Sequence, residues 1–495
     1  MDSLTDRLSD VLGSIGHFQS ELALIAGIIV FILVDLTVKV RYILPALGIL
    51  LSGIILYLDI FYRVGEGGVL PLFHGMILRD PASDAWKIIL DLATVLTMVM
   101  AVRSRPFREK GESYPLIFTI LLGGHLLAMA SNLLIMYMAV EIISISSYAL
   151  TLFSFNKKGS EAAVKYLLFG AVASALMLYG ISWVFTFTGS LNFTLPEFPE
   201  ALFKTGAIPL SIGMALVLTG FLFKIAAVPL HIWSPDVYTV APTSVVAFFS
   251  TVPKLAGFAI LTKWFLIMNL FGLGPVRWVD VLSIIAMITL VIGNFAALRQ
   301  SNVKRLMAYS SIAHTGFLLI PVVSLSEQAS RNLYFYAVIY VLMNLAVFAL
   351  VQFLEYKEGI SKAEEYKGLM KSYPLIGILF IVLMISLTGL PPTAGFTAKL
   401  LIFTSLWEAW DHSQSPWLLY LFIFGLLNTV VSLFYYLKIP FFMIFRNYTG
   451  QRSSHDQKYP AWENYFGLIM VLAVITLFFK PEWLMNVINN ISFAF

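Results

Sequence analysis

Long runs of apolar residues recur along the whole chain, and short polar connections separate them. A helix of about 20 apolar residues crosses the hydrocarbon core of a bilayer, so each run of that length predicts a membrane-spanning helix. The pattern predicts about fourteen such helices, near residues 22–38, 43–62, 86–102, 115–131, 132–153, 162–188, 209–230, 243–269, 279–298, 306–324, 332–354, 373–407, 417–438 and 463–480.

Two of these helices are predicted to be interrupted within the membrane. The run at 373–407 is too long for one crossing and contains GLPPTAGF. The run at 209–230 ends near Pro229, whose missing N–H and bulky ring free the carbonyl of Ile225 one turn earlier. A freed carbonyl in a membrane needs water or a polar neighbour, so we expect a polar environment at both breaks.

The predicted spans form two similar sets. Residues 115–269 hold helices 4–8 and residues 279–438 hold helices 9–13, and the fourth span of each set is the broken one. Because five is odd, the second set is expected to lie inverted relative to the first. Residues 1–114 carry helices 1–3, and residues 439–495 carry helix 14. We therefore predict an all-α polytopic membrane protein with two inverted five-helix repeats, an arrangement typical of ion-coupled transporters.

Basic residues concentrate in the odd-numbered connections between the predicted spans. Connections rich in Lys and Arg face the cytoplasm, so both chain termini are expected on the outer side. The basic residues in these connections are Lys39, Arg41, Arg103, Arg105, Arg108, Lys110, Lys157, Lys158, Arg299, Lys304, Arg305, Lys357, Lys362, Lys367, Lys371, Arg446, Arg452 and Lys458.

Composition agrees with a membrane location. Hydrophobic residues make up 59% of the chain and charged residues 12%, whereas soluble domains average about 25% charged. The net charge of +4 is not concentrated in a basic stripe, so nucleic acid is excluded as a predicted partner. The absence of cysteine excludes disulfides, thiolate-bound iron–sulfur clusters and a catalytic thiol in this chain.

Four lysines and one glutamate interrupt the apolar runs: Lys165, Lys224, Lys254, Lys399 and Glu141. A lysine at the centre of a spanning helix costs about 2.5–3.5 kcal/mol even on lenient insertion scales. About a dozen apolar residues precede Lys224, which at about 1.5 Å per residue places it about 18 Å deep. A buried lysine with a movable acidic partner can bind and release a proton, whereas a locked ion pair would serve only helix packing.

Polar side chains near these lysines could link them. His231, His314 and His125 can exchange protons near neutral pH, but a lone buried histidine is also a common structural residue. Hydroxyl groups such as that of Ser144 could hold water or serve close helix packing. Asp35 and Asp91 lie in early predicted spans outside the repeats, where each is expected to form a structural pair or to contact a partner subunit.

Five stretches give the chain a specific resemblance: FKIAAVPLHIWSPDVYTVAPTSVVAFFSTVPKLAGFAIL, MYMAVEIISISSYAL, GSEAAVKYLLFGAVASA, NVKRLMAYSSIAHTGFLL and GLPPTAGFTAKLLIF. Together they cover about residues 115–410. The chain resembles the antiporter-like membrane subunits of respiratory complex I (NADH–quinone oxidoreductase), and the N-type subunits in particular. In that family a glutamate and four lysines form a proton path along the membrane midplane. The resemblance assigns these roles to Glu141, Lys165, Lys224, Lys254 and Lys399, and His231 matches the histidine after the broken seventh helix.

The resemblance also implies the surroundings of the chain. We expect a non-redox subunit of a proton-translocating enzyme in a bacterial inner membrane, with K- and M-type sibling subunits as neighbours. No cofactor is expected in this chain, whereas FMN, iron–sulfur clusters and quinone are expected in partner subunits. In agreement, the sequence has no Gly-x-Gly-x-x-Gly turn after a strand. Pro253, directly before Lys254, departs from the family pattern and leaves the geometry of that lysine open.

Two other functions fit the same sequence. A subunit of a multi-subunit sodium/proton antiporter would share this fold and these lysines. A purely structural membrane spacer would transmit motion between subunits without carrying protons. Neutralisation of the buried lysines separates the spacer from the two transporters, and sodium dependence separates the transporters from each other.

Overall fold

The computed structural model describes residues 4–37, 43–65, 68–102, 104, 107, 110–204, 207–270, 277–447 and 462–491. Within these residues the regular structure is almost entirely α-helical, as predicted. Several residues on which the predicted orientation depends lie outside the described residues, so the sidedness of the termini stays a prediction. These are Lys39, Arg41, Arg103, Arg105, Arg108, Arg452 and Lys458.

The described helices are numbered in chain order. The first ten are α1 (Leu4–Ile15), α2 (Gln19–Thr37), α3 (Ile43–Phe61), α4 (Pro81–Ala101), α5 (Ser113–Met129), α6 (Leu133–Thr151), α7 (Lys157–Thr188), α8 (Glu197–Lys204), α9 (Ala207–Lys224) and α10 (Trp233–Val240). The next ten are α11 (Thr243–Leu270), α12 (Trp278–Leu298), α13 (Val303–Ser324), α14 (Glu327–Glu358), α15 (Leu369–Ser372), α16 (Pro374–Thr388), α17 (Ala394–Ser413), α18 (Pro416–Phe445), α19 (Trp462–Phe479) and α20 (Glu482–Asn489). A two-stranded antiparallel hairpin, β1 (Leu70–Leu72) and β2 (Ile77–Arg79), connects α3 to α4.

The predicted spans all overlap described helices. In the described part of the chain, nine helices are long and apolar enough to cross a membrane, and a tenth is counted if the bent pair α19 and α20 forms one span. The prediction of an all-α membrane protein is therefore confirmed. The count of fourteen spans stays a prediction.

Polar residues mark where several long helices begin. The side chain of Asn132 accepts a hydrogen bond from the Leu134 N–H before α6, and Asn156 accepts one from the Gly159 N–H before α7. Asn302 precedes α13 in the same way. Such caps satisfy backbone donors that have no partner inside the helix, so short polar residues between apolar runs define the helix starts.

The two predicted interruptions are present. Residues between α16 and α17 form the second break, which contains Pro391 and Pro392, as expected. The first break begins earlier than predicted, because α9 ends at Lys224 instead of continuing to Pro229. Ala226 takes a left-handed φ of 54°, and the residue before a proline disfavours the helical region. Lys224 is therefore the last residue of its helix and not an interior one.

The described residues form two compact units. The first comprises Met1–Ala226, Val252–Trp278 and Asn489–Phe495, and the second comprises Ala227–Thr251 and Val279–Ile488. The predicted segments at 1–114, 115–269, 279–438 and 439–495, and the inverted repeat among them, stay predictions.

Helices differ strongly in how much of their surface is enclosed. The most apolar window of α11 is completely buried and that of α13 is 94% buried, whereas the window of α2 is 22% buried. A charged or strongly polar side chain is costly where it faces lipid. The enclosed helices α11 and α13 can therefore carry Lys254 and His314 at lower cost than a peripheral helix could.

Candidate functional site

The ammonium group of Lys224 has a neutral partner. Lys224 is 3% exposed, at the C-terminal end of α9, and its Nζ donates a hydrogen bond of 2.8 Å to Oγ of Ser144 on α6. Ser144 in turn donates to the carbonyl of Val140. A hydroxyl stabilises an ammonium group without cancelling its charge, so this lysine is held in place but not locked in an ion pair.

Glu141 lies one turn before Ser144 on α6. Its Oε1 is buried and has no hydrogen-bond partner in the described part of the chain. The Glu141 carboxylate interacts electrostatically with the Lys224 ammonium. Glu141 thus lies close enough to Lys224 to interact electrostatically with its ammonium group, and Oε1 of Glu141 can still accept a hydrogen bond.

Lys254 lies on α11, which packs closely against Lys224. A Cβ atom added to Gly257 would lie 3.3 Å from Cγ of Lys224 and 2.7 Å from Cγ2 of Ile225, so glycine is needed for this approach. Lys254 precedes Gly257 by one turn, on the same side of the helix, and is 2% exposed. Pro253 does not interrupt α11, which is helical from Thr243 to Leu270. The fold therefore brings Lys254 onto the side of α11 that faces Lys224.

Lys399 binds the end of the broken helix that precedes it. Its Nζ donates a hydrogen bond of 2.7 Å to the carbonyl of Thr388, the last residue of α16. The ammonium also lies 4.2 Å from the centre of the Phe317 ring. Carbonyls at a helix C-terminus lack partners and carry partial negative charge. The break thus provides the polar neighbour expected from sequence, and the lysine itself satisfies the freed carbonyl.

A cavity of about 420 Å³ opens beside Lys399 in the second unit. Its walls are mostly apolar, so they do not by themselves form a polar route to the lysine. The lining residues are Gly389, Phe396, Lys399, Leu400, Phe403, Thr404, Trp407, Glu408, Phe422, Leu426 and Thr429.

His314 belongs to a buried hydrogen-bond network in the second unit. Its Nδ1 lies 2.9 Å from the hydroxyl of Tyr336, and its Nε2 lies 3.1 Å from the hydroxyl of Tyr436. Tyr436 is also hydrogen-bonded to Ser310. The hydroxyl of Tyr340 links Ser311 to the carbonyl of Ser250. The imidazole and the hydroxyl groups can both donate and accept, whereas the Ser250 carbonyl only accepts. The hydroxyls on both sides of His314 could therefore pass a proton through this residue, as the sequence suggested.

His231 lies in the first break and is half-buried. Its Nδ1 is buried and has no hydrogen-bond partner in the described part of the chain. In the same break the N–H of Val228 donates to the hydroxyl of Thr289, 3.1 Å away. The break therefore has one satisfied backbone donor and one histidine nitrogen that could bind water.

Lys165 is not buried within this chain, contrary to the expectation for the lysine path. Its side chain is 44% exposed and forms an ion pair of 2.8 Å with Glu161, one turn earlier on α7. The reason is its position in the third turn of α7, on a face that the rest of the chain leaves open. Lys165 could belong to a buried proton path only if another subunit buried its side chain.

A buried cluster of charges near the N-terminus was largely missed from sequence. It contains Glu21, Asp59, Lys87, Asp91 and His125, from helices α2 to α5. The expected pairing of Asp91 is confirmed, since its carboxylate contacts His125. Lys87 lies in the run WKIILDLA together with Asp91. Two opposite charges four residues apart within one apolar run were the signal available in the sequence.

With the site described, comparison with known proteins decides the family. The family described as NADH:quinone oxidoreductase/Mrp antiporter, transmembrane, matches residues 130–432. The chain belongs to this family. A Sorangium cellulosum protein described as NADH-quinone oxidoreductase subunit N 2 is 35% identical over 499 residues, with 96% of each chain covered. The family resemblance found in the sequence is therefore confirmed.

Solved structures of the family agree. A chain of respiratory complex I from Thermus thermophilus, solved with bound aureothin, superposes with a TM-score of 0.79 and 29% identity, covering 96% of this chain and 100% of that chain. A chain of the Mrp complex from Dietzia has a TM-score of 0.76 at 17% identity, with 96% of each chain covered. The second likeness shows the shared fold alone. The relatives indicate an antiporter-like membrane subunit of the complex I type, which is consistent with proton translocation.

Proposed function

We propose that this chain translocates protons as a membrane subunit of an NADH–quinone oxidoreductase, and that buried lysines and Glu141 carry the protons. The observation that carries this proposal is the environment of Lys224. The lysine is buried, its described hydrogen-bond partner is a neutral hydroxyl, and a carboxylate with an open oxygen lies nearby. Such an ammonium can lose its proton without breaking a hydrogen-bonded ion pair, and the nearby Glu141 carboxylate can change the proton affinity of the lysine.

Each group has a distinct role in this proposal. Lys224 is the central proton carrier, and Glu141 modulates its proton affinity as the distance between them changes. Lys254 receives the proton from the side of α11 that faces Lys224. Lys165 connects the path to a neighbouring subunit that covers it. Lys399 acts as a gate at the far end, where release from the Thr388 carbonyl would free it to exchange its proton.

The histidines complete the proposed path in the second unit. His314 has proton-exchanging partners on both ring nitrogens, and His231 has an open nitrogen at the first break. Both observations support relay roles, because a relay must bind a proton on one side and release it on the other.

The energy of translocation would come from other subunits. Moving one charge against 100 mV costs about 2.3 kcal/mol, and a change of about two pKa units supplies a comparable amount at about 1.4 kcal/mol per unit. The nearest neighbours of this chain in the complex would be K- and M-type subunits. FMN, iron–sulfur clusters and quinone would be bound by partner subunits of the complex. This chain would hold no redox group and would lie in the bacterial inner membrane.

Replacement of Lys224 tests the proposal. In Lys224→Ala, proton translocation by the reconstituted complex should be abolished or sharply reduced while the complex still assembles, because the central carrier is missing. The measurement is proton uptake into vesicles per NADH oxidised.

Lys438→Ala is the matched control. Lys438 also lies on a long apolar helix, but it donates to the carbonyl of Gln300 and is not part of the proposed path. Translocation by this control should match the wild type. Normal translocation by Lys224→Ala would refute the proposed role and favour a structural spacer.

A further inference from the structure

The buried charges near the N-terminus form one connected cluster, here called the N-terminal charge cluster: Glu21, Asp59, Lys87, Asp91 and His125. Nζ of Lys87 lies 2.7 Å from Glu21 Oε1 and 2.8 Å from Asp59 Oδ1, and it donates to Ser20 Oγ at 2.9 Å. All five charged side chains are at most 1% exposed. The cluster is therefore shielded from solvent and lipid by the chain itself.

The two hydrogen bonds between His125 and carboxylates need two protons in total, one for each bond. Its Nδ1 lies 3.1 Å from Glu21 Oε1, and its Nε2 lies 3.0 Å from Asp91 Oδ1. An imidazole nitrogen and a carboxylate oxygen at this distance need one proton between them. Both protons are present if His125 is an imidazolium, or if the ring is neutral and one of the two carboxyl groups is protonated.

Charge counting leaves one negative charge without compensation. Three carboxylates face two cations, Lys87 and the protonated His125. The adjacent pair of Arg79 and Asp84, with Nε 2.8 Å from Oδ1, is neutral as a unit. An uncompensated buried carboxylate is costly and tends to bind a proton instead. Arg79 and Asp84 also interact electrostatically with Lys87, but as a pair they add no net charge to the cluster.

The geometry indicates where this additional proton would bind. Oxygens of Asp59 and Asp91 and a ring nitrogen of His125 all lie within 4.8 Å of one another. Oδ2 of Asp91 is buried without a hydrogen-bond partner in the described residues. Two carboxyl groups this close share a proton readily, because both cannot be ionised at low cost.

A series of polar groups on α4 leads from the cluster towards one end of that helix. Asp84, Lys87 and Asp91 follow one another on the same face of α4. Asp84 lies at the start of this helix, where its Oδ2 accepts a hydrogen bond of 2.7 Å from the N–H of Val64 and where the β1–β2 hairpin ends. The basic-residue pattern predicts this hairpin on the outer side. The series of buried polar groups thus extends from that surface towards the interior.

We propose that the N-terminal charge cluster is a second proton-binding site, in which Asp59 and Asp91 share one exchangeable proton. The proton binds a carboxylate oxygen to give a carboxylic acid, and its release to water on the hairpin side of α4 restores the carboxylate. The helix α11, which carries Lys254, contacts α5 beside His125, since a Cβ on Gly124 would lie 3.6 Å from Cβ of Ala256. The site is independent of the roles proposed for the lysines.

Infrared spectroscopy of the intact complex tests this site without turnover. The complex is labelled with ¹³C at the side-chain carboxyl of aspartate and measured at about pH 8, roughly four units above the ordinary aspartate pKa. An isotope-sensitive carboxylic acid C=O band should be present in the wild type. The band should disappear in Asp91→Asn and in Asp59→Asn, and remain in Asp411→Asn, where the replaced aspartate is exposed.

Three results would overturn the proposal. The labelled wild type could lack the band. This result requires no variant and would show that all aspartates are ionised. The band could persist in both cluster variants, which would assign it elsewhere. The band could appear only after metal ions are chelated, which would identify the cluster as a cation site. The assay does not depend on proton translocation, so it is separate from the Lys224→Ala test.

Discussion

Three buried lysines show that the partner of an ammonium group decides its chemistry. Lys224 donates to a serine hydroxyl, Lys399 to a backbone carbonyl, and Lys87 to two carboxylates. An ammonium paired with carboxylates is held strongly in its charged form, whereas an ammonium hydrogen-bonded to a neutral group can lose its proton without breaking an ion pair. Lys224 and Lys399 are therefore suited to exchange protons, and Lys87 is suited to hold its own proton as part of the cluster.

Ser144 is expected to position Lys224. Ser144→Ala removes the acceptor of the 2.8 Å hydrogen bond. A hydrogen bond to a charged group contributes about 1.5–3 kcal/mol, and about 1.4 kcal/mol corresponds to a tenfold change in rate. We expect proton translocation to slow by roughly ten- to a hundredfold, with assembly unchanged, in the vesicle assay.

The neighbouring Ser147 provides the control for this prediction. Its hydroxyl donates to the carbonyl of Ile143 on its own helix and contacts no lysine in the described residues. Ser147→Ala should translocate protons at the wild-type rate. Equal rates in the two variants would mean that the Ser144 hydroxyl does not position the lysine.

At the scale of elements, the broken helices place charges against helix ends. The break after α16 exposes the Thr388 carbonyl to Lys399, and Gly389 takes a φ of 84°. This left-handed conformation suits glycine, which has no Cβ. A Cβ at Gly389 would also lie 2.5 Å from Cδ of Lys399. The break is thus shaped around the lysine that it binds.

Gly395 is expected to be essential for the second break. In Gly395→Ala, the added methyl group would lie 1.9 Å from the carbonyl oxygen of Ser386. Backbone cannot move aside as a flexible side chain can, so the overpacking should destabilise the protein by about 1–3 kcal/mol. The expected result is a lower thermal midpoint of the purified complex.

Gly53→Ala is the control, because a Cβ at this position of α3 meets no atom within 4 Å. Its thermal midpoint should be unchanged or slightly higher, since alanine favours helix more than glycine does. A Gly395→Ala complex as stable as this control would show that the break can relax.

At the scale of the whole molecule, the two compact units divide the candidate groups. The first unit contains Glu141, Lys224 and Lys254, and the second contains His231 and Lys399. The proposed proton path therefore uses buried groups from both units, and neutralising one group in each provides a test of the proposed function as a whole.

The double variant Lys224→Ala and Lys399→Ala separates a transporter from a spacer. We expect it to lose proton translocation completely, because a proton carrier is missing from each unit. Retained translocation per NADH oxidised would support a structural spacer.

Sodium dependence separates the two kinds of transporter. We expect the wild-type complex to translocate protons equally well with sodium or potassium as the bulk cation, and only while NADH is oxidised. The purified complex should contain flavin, iron–sulfur clusters and sibling membrane subunits. Sodium-dependent proton flux without NADH oxidation would instead identify a sodium/proton antiporter.

The sequence by itself determined the membrane class, the helix positions, both interruptions and the lysines that stand out in apolar runs. These properties depend on local chemistry: the length of an apolar run, the missing N–H of proline, and the cost of a charge in lipid. For the same reason, sequence could place Lys224 near a break but could not show that its helix ends at that residue.

Only the tertiary structure decided which groups meet. Ser144 and Lys224 are 80 residues apart, and Glu21 and His125 are 104 residues apart. Their contacts arise from helix packing, which brings together side chains that no local pattern relates. Packing likewise leaves Lys165 exposed and encloses Lys87 completely, because burial depends on which face of each helix its neighbours cover.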